Sequence, residues 1–257
     1  MSKYNLGAAS DIGVERESQE DFVQFRELDN DNLLAVIADG TGSAKGYLQP
    51  AVIASMNIIQ EIEQIYNESK EMLLYYVDFF LKRALLHANQ VLGAYKMGNE
   101  ETFSGYATSL TVALFTADNR AHIAHVGNTR FYILRNSKII QLTKDQTKAQ
   151  ELLDAGEIDE QTYYVHPYRL NITDGLGIST LPNISNICVS ITDTDLFLMT
   201  TDGIHYAIRP ENMKELVLSG QDVVPACNNL IDAAKNIIKY PDNMSAIRSE
   251  ERRVGKE

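Results

Sequence analysis

Apolar residues recur at steps of three and four from Val52 through Met56, Ile59, Ile62 and Tyr66, a spacing that puts them on one face of a helix. A second run, from Leu73 and Val77 through Phe80, Leu81, Ala84, Leu85, Ala88, Val91 and Leu92, predicts a second helix, with Gly93 near its end, where a helix can stop. From about Gly105 the period falls to two: Leu110, Val112 and Leu114 alternate with Thr111, Ala113 and Phe115, as side chains along a strand do. The turn-forming strings Ala117-Asp118-Asn119-Arg120 and Arg135-Asn136-Ser137-Lys138 divide the apolar runs that follow, predicting a meander with strands over 121–126, 131–134 and 139–142. Further strands are expected over 6–10, 21–26, 33–38, 187–191 and 196–201. The polar stretch 143–186 carries a helix over 147–155 that Gly156 ends, and two more helices are expected over 211–219 and 223–238. Strand groups split by helix pairs, with hairpin-length connections, argue for an α+β class with antiparallel sheets covered by helices. No repeat, Gly/Ser linker or low-complexity tract divides the chain, so it reads as one domain.

Composition narrows the function classes. With 23 Lys and Arg against 35 Asp and Glu, the formal charge of the 257 residues is −12, and nothing forms a basic stripe except the final residues 248–257. Nucleic acid and anionic membrane surfaces are therefore excluded as expected partners. The most apolar stretches, 33–38 and 72–81, fall far short of the roughly 20 residues of a spanning helix. The first residues lack the apolar core of a secretory signal, and the expected location is cytoplasmic. Cys188 and Cys227 are too few and too scattered for a disulfide framework or a thiolate zinc site and read as free thiols. His122 and His125, three apart on one strand, point to opposite faces and cannot share a metal. His166 before Pro167 reads equally as a substrate neighbour or a turn residue. Tyr75-Tyr76 and Tyr163-Tyr164 read as packing residues.

The informative pattern is the placement of carboxylates. Asp39 follows the apolar run 33–38 directly, Asp202 follows 196–201, and each is succeeded by glycine, Gly40 and Gly203. A carboxylate close to a core is costly unless paired or bound to a cation, and neither has a Lys or Arg within four residues. Glu20 and Asp21 open another strand, and Asp242 precedes Asn243 near the end of the chain. Oxygen donors without thiolates suit Mg²⁺ or Mn²⁺. Against this, Asp-Gly is the commonest hairpin dipeptide, so each pair taken alone reads as a turn.

The full set of strings resembles the metal-dependent serine/threonine protein phosphatases of the protein phosphatase 2C (PPM) family, bacterial type. The strings are Ser10-Asp11-Ile12-Gly13-Val14-Glu15-Arg16 leading to Gln19-Glu20-Asp21, Ala38-Asp39-Gly40-Thr41-Gly42, Gly105-Tyr106-Ala107-Thr108-Ser109-Leu110, Val126-Gly127-Asn128-Thr129-Arg130, Leu142-Thr143-Lys144-Asp145, His166-Pro167-Tyr168-Arg169-Leu170-Asn171, Thr201-Asp202-Gly203-Ile204 and Asp242-Asn243-Met244-Ser245. The resemblance implies a four-layer α-β-β-α sandwich with two central antiparallel sheets, and a flap subdomain within 143–186. It implies two Mn²⁺ or Mg²⁺ ions bridged by Asp39, with the Gly40 carbonyl and Glu20 or Asp21 on one side and Asp202 and Asp242 on the other. Two such ions can lower the pKa of a bridging water and supply hydroxide for in-line attack on phosphorus. Arg16, planar and always charged, can orient the phosphate through two oxygens, so Arg16 and Asp39 are the expected catalytic residues. The expected partners are a phosphorylated protein substrate and a cognate Ser/Thr kinase, for a chain acting as a monomer that hydrolyses phosphoserine and phosphothreonine.

Departures from the family pattern define the rival expectation. Asn128 stands where the family has an aspartate that helps hold a third ion, so that site should be weakened. Thr41 stands where some members carry histidine and many bacterial ones methionine, and gives no support to an acid-assisted leaving group. Gln19, Ser43 and Gln146 replace the usual asparagine, glycine and histidine. Residues 248–257 lack the alternation of a buried strand and resemble a non-native scar, which bounds the expected domain at 1–247. Asn128, Thr41 and the altered C-terminus favour, as the alternative, an impaired relative that binds phosphoproteins as a regulatory domain. Hydrolysis of a small phosphate ester is a further possibility.

Overall fold

The period-two runs pair into two five-stranded antiparallel sheets. The computed structural model describes residues 3–42, 48–97, 103, 105–219, 222–237 and 242–251. Its strands are β1 Tyr4–Asp11, β2 Asp21–Glu27, β3 Leu33–Thr41, β4 Ala107–Thr116, β5 Arg120–Val126, β6 Arg130–Arg135, β7 Lys138–Gln141, β8 Ser185–Ser190, β9 Leu196–Thr200 and β10 Met244–Glu251. One sheet has the order β1-β10-β9-β6-β7 and the other β2-β3-β4-β5-β8. Helices α1 Pro50–Tyr75 and α2 Val77–Lys96 cover the second sheet, packing Ile58, Ile62, Leu81 and Leu85 against Leu34, Val36, Leu110 and Val112. Helices α6 Pro210–Ser219 and α7 Val223–Ile237 cover the first, packing Met213, Val217, Leu230 and Ile231 against Tyr132, Leu198 and Ala246. The inner faces meet around Phe115, Phe131 and Phe197, with ring centroids 5.0 Å apart for Phe115 and Phe197 and 5.8 Å for Phe131 and Phe197. The layer order is thus helix, sheet, sheet, helix, as expected. β3 and β4 are covered on both faces, which is why 33–38 is continuously apolar instead of alternating.

Four expectations are corrected. First, the runs 121–126 and 131–134 do not form one meander: β5 and β6 lie in different sheets, and Gly127, Asn128 and Thr129 carry the chain between them. Gly127 has φ +95°, and a Cβ there would meet Ser109 Oγ at 2.3 Å, so this crossing requires glycine. Second, the boundary between the first two helices falls at Tyr76 (φ −118°, ψ 40°), and Leu73 belongs to α1, which breaks its helical dihedrals at Ser69. Third, Gly93 does not end α2, which continues to Lys96; tertiary packing outweighs the roughly 1 kcal/mol propensity cost of one glycine.

Fourth, 248–251 do form strand. β10 pairs with β1 from Tyr4↔Glu251 and with β9 through Glu250↔Leu196, so the domain extends beyond 247. Strand pairing uses backbone groups, and the Arg248 side chain reaches past the sheet face to the Asp222 carbonyl (3.1 Å) and Glu250 (2.9 Å). Ser43 and 252–257 lie outside the described residues.

The stretch 143–186, where the flap is expected, leaves the sheets after β7 and returns to them at Ser185, the first residue of β8. Thr147 caps α3 Lys148–Asp154 by accepting from Gln150 N, and Gly156, with φ +72°, follows it. A one-turn helix α4 Glu160–Tyr163 and a 3-10 turn Pro167–Leu170, both unpredicted, complete it. Two backbone hydrogen bonds between Thr108 and Leu176, each 2.9 Å, and the buried Arg130–Asp145 pair anchor the flap to the sheets. Among the described residues no helix is long and apolar enough to cross a membrane, and Cys188 and Cys227 are free.

Candidate active site

Neither Asp-Gly pair is a hairpin turn. Asp39 and Gly40 lie inside β3, where Asp39 faces Asp21 of β2 and Ser109 of β4 in register. Gly40 N donates to Glu20 O (3.1 Å), and a Cβ on Gly40 would sit 2.8 Å from that same oxygen. Asp202 instead opens a one-turn helix, α5 Asp202–His205, and a Cβ on Gly203 would meet Asn243 O at 2.2 Å. Both glycines are therefore demanded by close approach of a neighbouring strand or loop.

These ends converge on one cavity of about 630 Å³. Arg16, Glu20, Asp39, Gly40, Thr41, Asp202 and Asp242 line it, so most of the expected set is brought together. Asp21 is 6% exposed and lies beside Asp39 on the neighbouring strand, off the cavity surface, with Oδ2 accepting from Thr201 Oγ1 (2.8 Å). Its Oδ1 is buried without a hydrogen bond. Asn128 is also buried behind the wall. Its Oδ1 accepts from Ser109 Oγ (2.7 Å), while its Nδ2 donates to Asp202 Oδ2 (3.2 Å) and Tyr206 OH (3.4 Å). Arg16 pairs with Asp242 at 2.5 Å.

The acids sit on both sheets: Glu20, Asp21 and Asp39 at the ends of β2 and β3, Asp202 and Asp242 flanking β9 and β10. Burial, then the charges of Asp202, Asp21 and Asp242, holds the Asp39 carboxyl well above the usual carboxylate range, and Asp39 is in hydrogen-bond contact with Asp202. Burial pushes Asp21 up to about 7, against the Ser245 and Thr201 hydroxyls and with the Asp202 and Asp242 charges. Asp202 rises to about 6 through burial and the Asp242 charge. Such a gathering of mutually repelling, buried acids is a mark of a functional site. Among the described residues, no three His, Cys, Asp or Glu side chains close into a ready ligand set for one ion.

Sequence reasoning missed several supporting residues. Asn243 clamps the loop before β2, its Oδ1 accepting from Glu20 N (2.8 Å) and its Nδ2 donating to Ile12 O (2.8 Å) and Ser18 O (3.1 Å). Thr108 Oγ1 donates to Asp39 O (2.8 Å). The flap adds Leu170, Ile172, Gly177 and Ile178 to the cavity, and α2 adds Lys96. Only the strings Asp242-Asn243 and Ala107-Thr108 signalled the polar members. His166 is a turn residue, its Nδ1 accepting from Tyr168 N (3.2 Å), and does not line the cavity. Tyr163 OH donates to Asp145 (2.7 Å), packing as expected but within a polar network.

Comparison with known proteins finds relatives over nearly the whole chain. The family described as protein phosphatase 2C matches residues 14–231. The protein phosphatase PhpP of Streptococcus pneumoniae serotype 2 is 25% identical over 246 residues, covering 94% of this chain and 93% of that protein. The crystal structure of the Mycobacterium tuberculosis serine/threonine phosphatase PstP/Ppp superposes with a TM-score of 0.80 at 27% identity, covering 97% of this chain and 99% of the other. The catalytic domain of serine/threonine protein phosphatase PstP in complex with two manganese ions superposes with a TM-score of 0.75 at 26% identity, covering 96% and 97% of the two chains.

Proposed function

The chain belongs to the protein phosphatase 2C family, and from that premise we propose that it hydrolyses phosphoserine and phosphothreonine on proteins with the help of divalent cations. The observation that carries this reading is the cavity in which carboxylates from both sheets face Arg16. The donor chemistry fits Mn²⁺ or Mg²⁺: oxygen ligands only, an Asp21 oxygen buried without a hydrogen bond, and the charges of Asp202, Asp21 and Asp242 pressing on the buried Asp39. Asp39, the Gly40 carbonyl, Glu20, Asp202 and Asp242 would hold two ions, with Asp21 supporting from beside Asp39. Their side chains must draw together to do so, since no three of them form a closed set as they stand. Such cations, when bound, activate water near neutral pH and neutralise charge on the transferring phosphoryl group.

The remaining work falls to the chain's own residues. Arg16 presents a half-exposed guanidinium at the cavity; a phosphate dianion can displace Asp242 from it and be held through two oxygens. Thr108 and Asn243 fix the backbone that carries Asp39 and Glu20. Asn128 points an amide donor, not a charge, at Asp202, which supports two ions and a weakened third site. Thr41 offers no imidazole, so protonation of the leaving alkoxide is left to water. The substrate class is a phosphoprotein, the product of a Ser/Thr kinase.

Phosphate release from a phosphothreonine peptide, measured with Mn²⁺ and with chelator, tests the reading. Cation-dependent turnover by a folded preparation is expected. A folded protein that releases no phosphate at any Mn²⁺ concentration overturns it.

A further inference from the structure

Outside the acidic cavity, one cluster joins a thiol, an imidazole and a carboxylate. Cys188 of the edge strand β8 stands directly opposite His122 of β5 in the antiparallel register, with Cys188 Sγ 3.8 Å from His122 Nε2. His122 Nδ1 lies 2.8 Å from Asp78 Oδ1 in the first turn of α2. The carboxylate can only accept, so it fixes the proton on Nδ1 and leaves the Nε2 lone pair facing the thiol. The His122 side chain is nine-tenths buried, whereas Cys188 is exposed to solvent. Asn186 Nδ2 donates to the Asp78 carbonyl (3.0 Å), pinning β8 to the start of α2 and holding the three elements together. None of the three residues lines the acidic cavity.

We propose that Cys188, His122 and Asp78 act as a thiol–imidazole–carboxylate relay that makes Cys188 a modification site, exchanging with small-molecule disulfides. The thiol proton passes to His122 Nε2 as Sγ attacks one sulfur of the disulfide R–S–S–R. A Cys188–S–S–R bond forms, the R–S–S–R bond breaks, and the departing RS⁻ takes the proton from Nε2 to leave as RSH. Cys188 is oxidised and one half of the disulfide is reduced, with no further co-reactant.

The surroundings make the base necessary. Burial and then the Asp78 charge push the Cys188 thiol up, with Arg120 pulling the other way. Arg120 is itself engaged by Asp118 through Nε (2.7 Å). The thiol is therefore protonated at rest, and its attack depends on a neighbour that can accept the proton. The charged and titratable groups around it are Asp78 from α2, His122 and Arg120 from β5, and Asp118 from the turn between β4 and β5. The second thiol, Cys227, is buried against Gly7 O at 3.4 Å and supplies an internal control.

The full chain, reduced and freed of reductant, is incubated with oxidised glutathione or with cystamine from pH 5 to 9, and adducts are located by peptide mass. Expected is modification of Cys188 and not Cys227. His122→Gln should slow the reaction at pH 7 by about tenfold or more and change the pH profile of the rate. Asp78→Asn, a change at a half-exposed side chain, should slow it less and serves if His122→Gln does not fold. Equal rates and pH profiles for the wild type and Asp78→Asn, or no adduct at Cys188 in the folded protein, overturn the proposal.

Discussion

Two groups of buried charge, both seated close to the flap, obey opposite rules. Around Arg130, every charge is answered: its Nε and Nη2 donate to the two oxygens of Asp145 at 2.8 and 2.7 Å, and Tyr163, Tyr132 and Gln141 supply further hydrogen bonds. Around Asp39 the acids answer one another, with Asp21, Asp202 and Asp242 all adding repulsion and Arg16 pairing with Asp242. A network that is satisfied internally holds a structure together; one left in deficit of positive charge keeps a place for what it will bind.

The largest expected effect breaks the first group. Arg130→Met leaves the Asp145 carboxylate buried and unpaired, and should cost about 3–5 kcal/mol in urea unfolding. The same experiment on the second group should give the opposite sign. Asp39→Asn removes one of the repelling charges, so in chelator it should raise the melting temperature by about 2–4 °C. It should also lower phosphatase kcat/KM by about a thousandfold, roughly 4 kcal/mol. If Asp39→Asn destabilises the chelated protein as Arg130→Met does, the contrast fails.

A pH titration sharpens the comparison. Asp21 and Asp202 titrate in the folded chain at about 7 and about 6, above the ordinary aspartate value of 3.8. A raised pKa contributes stability that is complete below the unfolded value and is lost as pH rises through the folded one. In chelator the melting temperature should therefore fall between about pH 4 and pH 7, and Mn²⁺ should restore more of it at pH 8 than at pH 5. A Mn²⁺ increment equal at both values would contradict this. The smallest effect concerns Arg16: Arg16→Lys keeps the charge but not the planar fork, and should lower kcat/KM by about tenfold, chiefly through KM.

How much of this could be read from the sequence follows the range of each interaction. Helices and strands came from local periodicity, and the turns at Asn119 and at Asn136-Ser137 from residues that tolerate the positive φ they adopt. The acids at 20, 39, 202 and 242 were legible because each interrupts an apolar run or sits beside one, and because their order resembles a family. Partition between the sheets was not legible. The apolar runs of β5 and β6 are alike, and only the Gly127–Ser109 approach, a contact across 18 positions, sends the chain to the other layer. The roles of Asn243 and Thr108 were hidden for the same reason, since a buried amide or hydroxyl carries no periodic signature. The strand at 248–251 carries no apolar alternation to announce it, and forms because β10 has neighbours on both sides to supply its hydrogen bonds.

The acids of the cavity are mounted on two separate plates, Glu20 and Asp39 on one sheet and Asp202 and Asp242 beside the other, and the aromatic rings of Phe115, Phe131 and Phe197 fill the space between. The spacing of the plates is thus a caliper for the site. Any change that thins or thickens that greasy filling shifts one set of carboxylates past the other, so catalytic geometry here is set partly by residues that carry no charge and never meet the substrate.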